Sequence, residues 1–261
     1  MKKFFALSAL VLVSMTSAYA DDARSLYDQA VSNYAARADL SRNDSVISTL
    51  ERAKTLTEDT DLKYSIVVLL SRAYYWKGMN SQSNDARKQH FEAALDAAND
   101  AKRITDDYAE AYYYAAISRG RWAEANGVLA SLRYAGELMD NCKAAKERIT
   151  VEGESGETVD SFGPARTLGR VYAKLPGFAG GSTEKARQNL EVAFANGRAN
   201  ALNHVYLAEV LNGGSSADKA RARQMLDALL ATPPEQLNAD RLPEMVEEYR
   251  LARELRNSMG R

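Results

Sequence analysis

A two-helix pattern occurs twice between Ala165 and Pro234, and it restricts the fold more than any other feature of the chain. In each copy a leucine and a small residue begin the pattern, and an alanine follows on a second helical segment. The matching positions are Leu168, Gly169, Tyr172, Ala186 and Leu190 in the first copy and Leu207, Ala208, Leu211, Ala222, Leu226 and Pro234 in the second. Small residues at these places let two helices approach closely, while the leucines fill the space beside them. The pattern predicts paired antiparallel helices.

A third copy of the pattern precedes these two. Residues 70–78 have the same leucine and tyrosine spacing, with Ser71 in place of the glycine. The small residues of its partner helix are Ala94, Ala98 and Ala101. The spacing L-G-x2-Y followed by A-x3-F is typical of tetratricopeptide (TPR) repeats. Three copies predict an all-α fold, a TPR-like α-solenoid of antiparallel helix pairs in which each hairpin packs on its neighbours.

Helical periodicity continues along the chain, and runs with strand alternation are missing. The predicted helices are 22–38, 44–56, 60–78, 84–105, 108–127, 131–150, 162–175, 183–196, 200–212, 216–231 and 243–258. Residues 43–45 and 81–85 are polar clusters that favour helix starts, and Pro243 suits a first turn. The acidic, glycine-containing segment 152–163 is predicted to be irregular.

Residues 1–20 are predicted to be a signal peptide. Lys2 and Lys3 precede an apolar run of about ten residues, and Ala18 and Ala20 frame a small-x-small cleavage site. The run is too short to span a bilayer, which needs roughly 20 apolar residues. No lipid-attachment cysteine follows the cleavage site. We therefore expect export to the periplasm and one helical-repeat domain over residues 21–261.

Net charge and cysteine content argue against nucleic-acid binding and against an internal disulfide. The predicted mature chain has 32 basic and 35 acidic residues, since Lys2 and Lys3 are removed, for a net charge of −3. This balance argues against nucleic-acid binding, which needs a clustered basic surface. Cys142 is the single cysteine, so no internal disulfide can form. We interpret it as a small apolar residue on a helix, with a reactive or intermolecular role as the alternative.

The chain carries no recognisable catalytic or cofactor motif. Nucleophile-elbow, phosphate-loop and dinucleotide-binding glycine patterns are missing from it. His90 and His204 are the only histidines; His204 is predicted to pack against the second repeat copy, and His90 to be solvated. One cysteine and two histidines do not supply a tetrahedral zinc site. We expect a protein that is not an enzyme, with no metal and no cofactor.

The loop 175–182, LPGFAGGS, makes the connection between the helices of one hairpin longer than in a TPR repeat. It follows Tyr172 and contains Pro176, Gly180 and Gly181. The two glycines permit backbone angles that are closed to other residues, and Ser182 suits a helix N-cap. Two readings are open: a rigid turn that sets the hairpin angle, or an anion site at a helix N-terminus.

Aromatic residues are dense between residues 74 and 122. Three consecutive tyrosines, Tyr112 to Tyr114, span most of a helix circumference, so they cannot all face one core. Tyr and Trp suit a ligand pocket or a partner surface, although core packing is an alternative. The candidate ligand-binding residues are Tyr75, Trp76, Tyr112, Tyr113, Arg119 and Trp122, with Arg119 or Arg121 available for a carboxylate.

The segment Glu110 to Leu229 resembles the TatT family, periplasmic TPR-like components associated with TRAP (tripartite ATP-independent periplasmic) transporters. The resemblance covers about half of the chain. It rests on the aromatic-alanine helix 112–122, the segment 130–149, LGRVY at 168–172, LPGFAGGSTEKA at 175–186 and LAE at 207–209. Described members of the family include lipoproteins, whereas Asp21 follows the predicted cleavage site here.

The resemblance implies a pocket or tunnel for an apolar or amphipathic molecule, such as a lipid or organic acid. It also implies a TRAP substrate-binding subunit as partner, and self-association into a trimer. The alternative function is a periplasmic TPR adaptor that holds a peptide or protein during envelope assembly. A tunnel lined by Tyr113, Trp122 and leucines favours the first function, and an open groove of Asn, Lys and Arg favours the second.

Overall fold

The computed structural model describes residues 21–260. The helices are α1 (21–35), α2 (Leu40–Lys54), α3 (Thr60–Met79), α4 (Asn84–Ile104), α5 (Ala109–Asn126), α6 (Val128–Lys146), α7 (Val159–Lys174), α8 (Thr183–Asn196), α9 (Ala201–Asn212), α10 (Ser216–Ala231), α11 (Pro234–Asn238) and α12 (Leu242–Ser258). Short 3-10 turns lie at Gly156–Thr158, Gly177–Ala179 and Ala239–Arg241. The chain divides into two compact units, the first ending at Asp106 and the second beginning at Asp107.

The fold is an all-α solenoid, as predicted. In the first unit α2 packs on α3, and α3 packs on α4. In the second unit the consecutive pairs are α5 with α6, α7 with α8, and α9 with α10, while α12 covers α9 and α10. The described residues contain isolated bridges only, joining Tyr108 to Ile149 and Ile149 to Ser155, and no strand.

The predicted repeat register is confirmed by burial. Leu168, Ala186 and Leu190 are buried, and a methyl group added at Gly169 would lie 2.5 Å from Leu190 Cγ and 3.1 Å from the Ala186 carbonyl oxygen. The positions of the second copy are also buried: Leu207, Ala208, Leu211, Ala222 and Leu226. The crossing of α7 and α8 therefore depends on the missing side chain of Gly169.

The first unit repeats this crossing with a serine. Ser71 is fully buried on α3, and its Oγ donates a 2.7 Å hydrogen bond to the carbonyl oxygen of Ala94 on α4. Leu70, Ala98 and Ala101 are buried around it. Serine thus replaces glycine where a hydroxyl can bond to the backbone of the facing helix.

Several predicted helix limits are wrong by a few residues. The second helix begins at Leu40 rather than at residue 44, because Asp39 is the N-cap and accepts from Ser41 N at 3.0 Å. Helix α6 ends at Lys146, four residues early. Helix α7 spans Val159–Lys174, but residues 160–162 have left-handed backbone angles, so its regular part begins at Gly163, next to the predicted start at residue 162. The short helix α11 was not predicted. Pro243 lies in the first turn of α12, as expected.

The predicted signal peptide, residues 1–20, lies outside the described residues. Within residues 21–260, every helix is too short or too polar to serve as a membrane span. The single domain over residues 21–261 stays a prediction.

Candidate functional site

A left-handed backbone turn lies near the start of α7. Asp160, Ser161 and Phe162 have φ values of 50°, 54° and 63°. Such angles cost roughly 1–3 kcal/mol for each residue that is not glycine, and strained backbone of this kind concentrates at functional sites. The surrounding residues must therefore hold the turn in place.

Asn203 on α9 is the main clamp on this turn. Its Nδ2 lies 2.9 Å from the carbonyl oxygen of Ser161, 2.6 Å from that of Gly197 and 3.1 Å from that of Ala193. Gly197 allows the close approach, because a methyl group there would lie 2.3 Å from the Ser161 oxygen. The turn is thus held by α9 and by the end of α8.

The side chain of Asp160 organises a polar cluster beneath the turn, which we call the Asp160 cluster. It consists of Tyr113, Asp160, Arg166, Asn203, Arg241 and Glu248. Tyr113 OH donates to Asp160 Oδ2 at 2.6 Å, and Arg166 pairs with the same oxygen. Arg241 pairs with Asp160 Oδ1 and with Glu248 Oε1, the latter at 2.8 Å. The cluster links α5, α7, α9 and α12.

The pKa values of the two acids in the cluster shift in opposite directions, because burial and the neighbouring arginines compete at each of them. Burial would raise the pKa of Asp160, but Arg241 and Arg166 and the Tyr113 hydrogen bond lower it to about 2. Burial raises the pKa of Glu248, with Arg241 and Arg166 opposing that shift. Burial also raises the pKa of Tyr113 well above its ordinary value, so its phenol remains a proton donor at neutral pH.

The Asp160 cluster is largely buried, and most of its polar atoms have partners within the cluster. Arg166 and Glu248 are each 4% exposed. Glu248 Oε2 and Arg241 Nε are buried atoms without a hydrogen-bond partner. The geometry fits a network that ties four helices together and holds the left-handed turn.

Sequence reasoning did not find this cluster, apart from Tyr113. Two of its members carried a signal: Asn203 precedes Leu207 by one turn, and Arg166 precedes Gly169 by three residues. Both therefore lie on helix faces that the repeat pattern predicts to be buried in the protein core. A polar residue at such a position indicates a buried network.

The two candidates from the first unit belong to its core. Trp76 is 9% exposed, and its Nε1 donates to the Arg37 carbonyl oxygen at 2.8 Å. Tyr75 is half-buried, with its ring centroid 5.6 Å from that of Phe91. Tyr75 thus packs against α4, and Trp76 bonds to the turn between α1 and α2.

The three consecutive tyrosines of α5 divide as expected. Tyr113 is buried, while Tyr112 and Tyr114 are only partly buried. Arg148 lies over the Tyr112 ring at 3.8 Å and donates to its OH at 2.9 Å. The phenol groups of Tyr112 and Tyr113 thus have partners within the protein.

Arg119 and Trp122 are brought together at the surface of α5 and α6. Arg119 lies 5.4 Å from the centroid of Trp122 and 4.5 Å from that of Tyr134, and the two rings meet edge to face at 5.5 Å. Arg133 also lies over Tyr134, at 5.4 Å. Leu129 precedes Arg133 by one turn and is 84% exposed. We call these five residues the aromatic surface.

The loop 175–182 forms a compact turn. Gly180 has a φ of 92°, and a methyl group at Gly181 would lie 1.8 Å from the Leu175 carbonyl oxygen. Ser182 N donates to the Tyr172 carbonyl oxygen at 3.0 Å, and its Oγ caps α8 by accepting from Lys185 N at 3.2 Å. Pro176 starts the turn by accepting from Gly181 N at 3.0 Å. These contacts favour the rigid-turn reading over the anion site.

We expect Gly181→Ala to open this turn and to lower the thermal midpoint, because the clash is with the backbone, which cannot move aside. A thermal melt followed by circular dichroism measures the effect. Gly177→Ala in the same loop is the control, since nothing lies within 4 Å of an added methyl group there. Equal midpoints for the two variants would contradict the rigid turn.

The remaining candidates have packing roles. His204 lies edge to face with Phe194 at 5.0 Å and donates from Nε2 to the Arg198 carbonyl oxygen at 2.9 Å. Cys142 is buried on α6, which raises the pKa of its thiol to about 12 and leaves it unreactive. In the described part of the chain, no group of three or more His, Cys, Asp or Glu residues is arranged to hold a metal ion.

In comparisons with known proteins, no family model matches the chain and no curated protein matches it significantly. The resemblance to TatT proteins therefore stays a prediction from the motifs.

Proposed function

We propose that this chain binds a protein partner through the aromatic surface and performs no catalysis. The observation that supports the proposal is the stacking of Arg119, Trp122 and Tyr134 at the surface of one helix pair. Trp, Tyr and Arg are the residues most enriched at the energetic centres of protein interfaces. Exposed Leu129 extends the apolar part of this surface.

The TatT resemblance makes the substrate-binding subunit of a TRAP transporter the first partner to test, in the periplasm. A partner that offers an apolar side chain to Trp122 and a carboxylate to Arg133 would fit the chemistry of the surface. The wider alternative is another periplasmic protein or peptide bound in envelope assembly. Self-association into a trimer belongs to the same proposal and is measurable by light scattering.

We rank a small-molecule pocket second. Two of the candidate ligand-binding residues use their polar atoms inside the protein: Trp76 Nε1 donates to the Arg37 carbonyl oxygen, and Tyr113 OH donates to Asp160. Native mass spectrometry of the purified protein tests this function directly. A retained lipid or organic acid that Trp122→Ala releases would move the small-molecule function to first place.

We expect Trp122→Ala to weaken binding of the purified TRAP substrate-binding subunit by roughly 30-fold or more, as for an interface hot spot. Surface plasmon resonance measures the dissociation constant. Tyr206→Ala is the matched control, since Arg170 stacks on Tyr206 at 4.3 Å in the same unit. The wild-type affinity should persist in that variant.

Two outcomes would contradict the proposal at different levels. If the wild-type chain does not bind the TRAP subunit, the assignment of that partner is wrong. If it binds and Trp122→Ala binds equally well, the partner is correct and the aromatic surface is not its site.

A further inference from the structure

The aromatic surface presents hydrogen-bond donors that the protein itself does not use. Within residues 21–260, Trp122 Nε1 and the Tyr134 hydroxyl have no hydrogen-bond partner. Neither belongs to the buried side-chain atoms that lack a partner, so both atoms reach solvent. The indole N–H can donate and cannot accept. A ligand that offers acceptors to this surface is therefore favoured.

The charges of the surface favour an acidic group in the ligand. Arg119 pairs with Glu137 at 3.1 Å. Arg133 is exposed, and no acid within residues 21–260 forms an ion pair with it. The two arginines and the one glutamate together carry a net charge of +1. A carboxylate of the ligand would complete the balance at Arg133.

The two rings form a corner that is held from within the protein. Trp122 and Tyr134 meet at an interplanar angle of 87°, with their centroids 5.5 Å apart. Arg119 contacts both rings and is itself held by Glu137. A polyproline II helix has three residues per turn and rises about 3.1 Å per residue. One turn, about 9 Å long, therefore reaches both rings.

The chemistry of proline matches this corner better than that of other residues. An ordinary peptide loses hydration from its backbone N–H groups when it lies on aromatic rings, and the acid beside these rings, Glu137, is engaged by Arg119. Proline has no N–H to satisfy, while its carbonyl oxygen still accepts. Its fixed φ also reduces the entropy lost on binding, as in other grooves lined by aromatic residues.

We infer that the aromatic surface binds a proline-rich segment of its partner in the polyproline II conformation, with an acidic residue beside the prolines. A proline ring packs on Trp122, Trp122 Nε1 donates to a backbone carbonyl oxygen, and Arg133 pairs with the acidic side chain. The inference rests on the proposed function and specifies the chemistry of the partner segment.

Isothermal titration calorimetry of the full chain with three blocked peptides tests the inference. The probes are hexaproline preceded by aspartate, hexaproline preceded by lysine, and hexa-alanine preceded by aspartate. The lysine probe should bind about two- to fivefold more weakly than the aspartate–proline probe, because Arg133 then meets a like charge. The alanine probe should bind about tenfold more weakly or less. Absence of aspartate–proline binding, or equal binding of the alanine probe, would overturn the inference.

Substitutions locate the peptide on the surface. Trp122→Phe keeps a ring and removes the N–H, so it should weaken the aspartate–proline probe about three- to tenfold. Arg133→Gln should abolish the preference for aspartate over lysine. Tyr206→Ala is the control and should bind as the wild type does, since Tyr206 stacks with Arg170 elsewhere in the unit. Unchanged affinity in Trp122→Phe would contradict the donor role of the indole and overturn the inference.

The failure of this inference is distinguishable from the failure of the proposed function. If Trp122→Ala abolishes binding of the TRAP substrate-binding subunit and the proline probes do not bind, only the inference is wrong. If the aspartate–proline probe binds the wild-type chain and not Trp122→Ala, it should also displace that subunit. Failure to displace it would show that the partner segment has another chemistry, which would overturn the inference as well.

Discussion

Replacing Arg166 with methionine is expected to lower the free energy of unfolding by about 3–5 kcal/mol, since removing one partner of a buried ion pair leaves a charge uncompensated. Arg166 is 4% exposed and donates to Tyr113 OH at 2.8 Å and to Asn203 Oδ1 at 3.1 Å, besides its pair with Asp160. It also bonds to the Asp160 carbonyl oxygen at 3.0 Å, inside the left-handed turn. The substitution thus removes the charge partner and a clamp on the strained backbone together.

The thermal midpoint should fall by about 6–20 °C, at roughly 2–4 °C for each kcal/mol in a domain of this size. Arg250→Met is the matched control, because Arg250 pairs with Glu247 and Glu254 on an exposed face of α12. Exposed pairs contribute little, so its midpoint should hardly change. Similar midpoints for the two variants would show that the Asp160 cluster does not stabilise the fold.

The loss of stability caused by Arg166→Met should also depend on pH. The pKa of Asp160 in the fold, about 2, lies below its ordinary value of 3.8, so the carboxylate stabilises the fold above pH 3.8. This contribution, about 2 kcal/mol, is lost as the pH falls through 2. The contribution of Glu248 to stability has the opposite pH dependence, because its pKa is raised in the fold and the folded state therefore favours the protonated carboxyl group. The stability difference between wild type and Arg166→Met should therefore shrink between pH 4 and pH 2.

Enlarging Gly169 is expected to separate α7 from α8. Gly169→Leu should cost about 3 kcal/mol or more, at the upper end for overpacking a core, because a Cβ alone already clashes with Leu190 Cγ at 2.5 Å. Leu190 is fully buried, and the Ala186 carbonyl oxygen lies 3.1 Å from the same Cβ and belongs to the helix backbone, so neither can move far. Thermal and urea unfolding of the purified variant measure the loss.

Two glycine-to-alanine substitutions separate the effect of the close contact at Gly169 from the general effect of helix propensity. Gly169→Ala and Gly136→Ala both lie inside helices, where alanine is favoured over glycine by about 1 kcal/mol. Gly136 is exposed, with nothing within 4 Å of an added methyl group, so Gly136→Ala should stabilise the protein. Gly169→Ala should destabilise it. Stabilisation by both would contradict the close helix crossing.

The repeat register could be predicted from the sequence because it depends on local spacing. Gly169, Ala186 and Leu190 recur at helical intervals, and small residues at a crossing leave a pattern that does not require knowledge of distant partners. The turn at Gly180 and Gly181 was predictable for the same reason, since the need for glycine arises within a few residues. The division of Tyr112 to Tyr114 between core and surface followed from helix geometry alone.

The Asp160 cluster could not be predicted in this way, because its members meet only after folding. Asp160 bonds to Tyr113, 47 residues earlier, and pairs with Arg241, 81 residues later. A left-handed turn of three residues without glycine has no local signature, since long-range hydrogen bonds from Asn203 and Arg166 hold it. The same holds for buried Asn43 on α2, whose Nδ2 donates to the Ala73 carbonyl oxygen on α3, 30 residues later. Local periodicity thus specifies which faces are apolar, while the pairing of buried polar groups depends on which helices become neighbours.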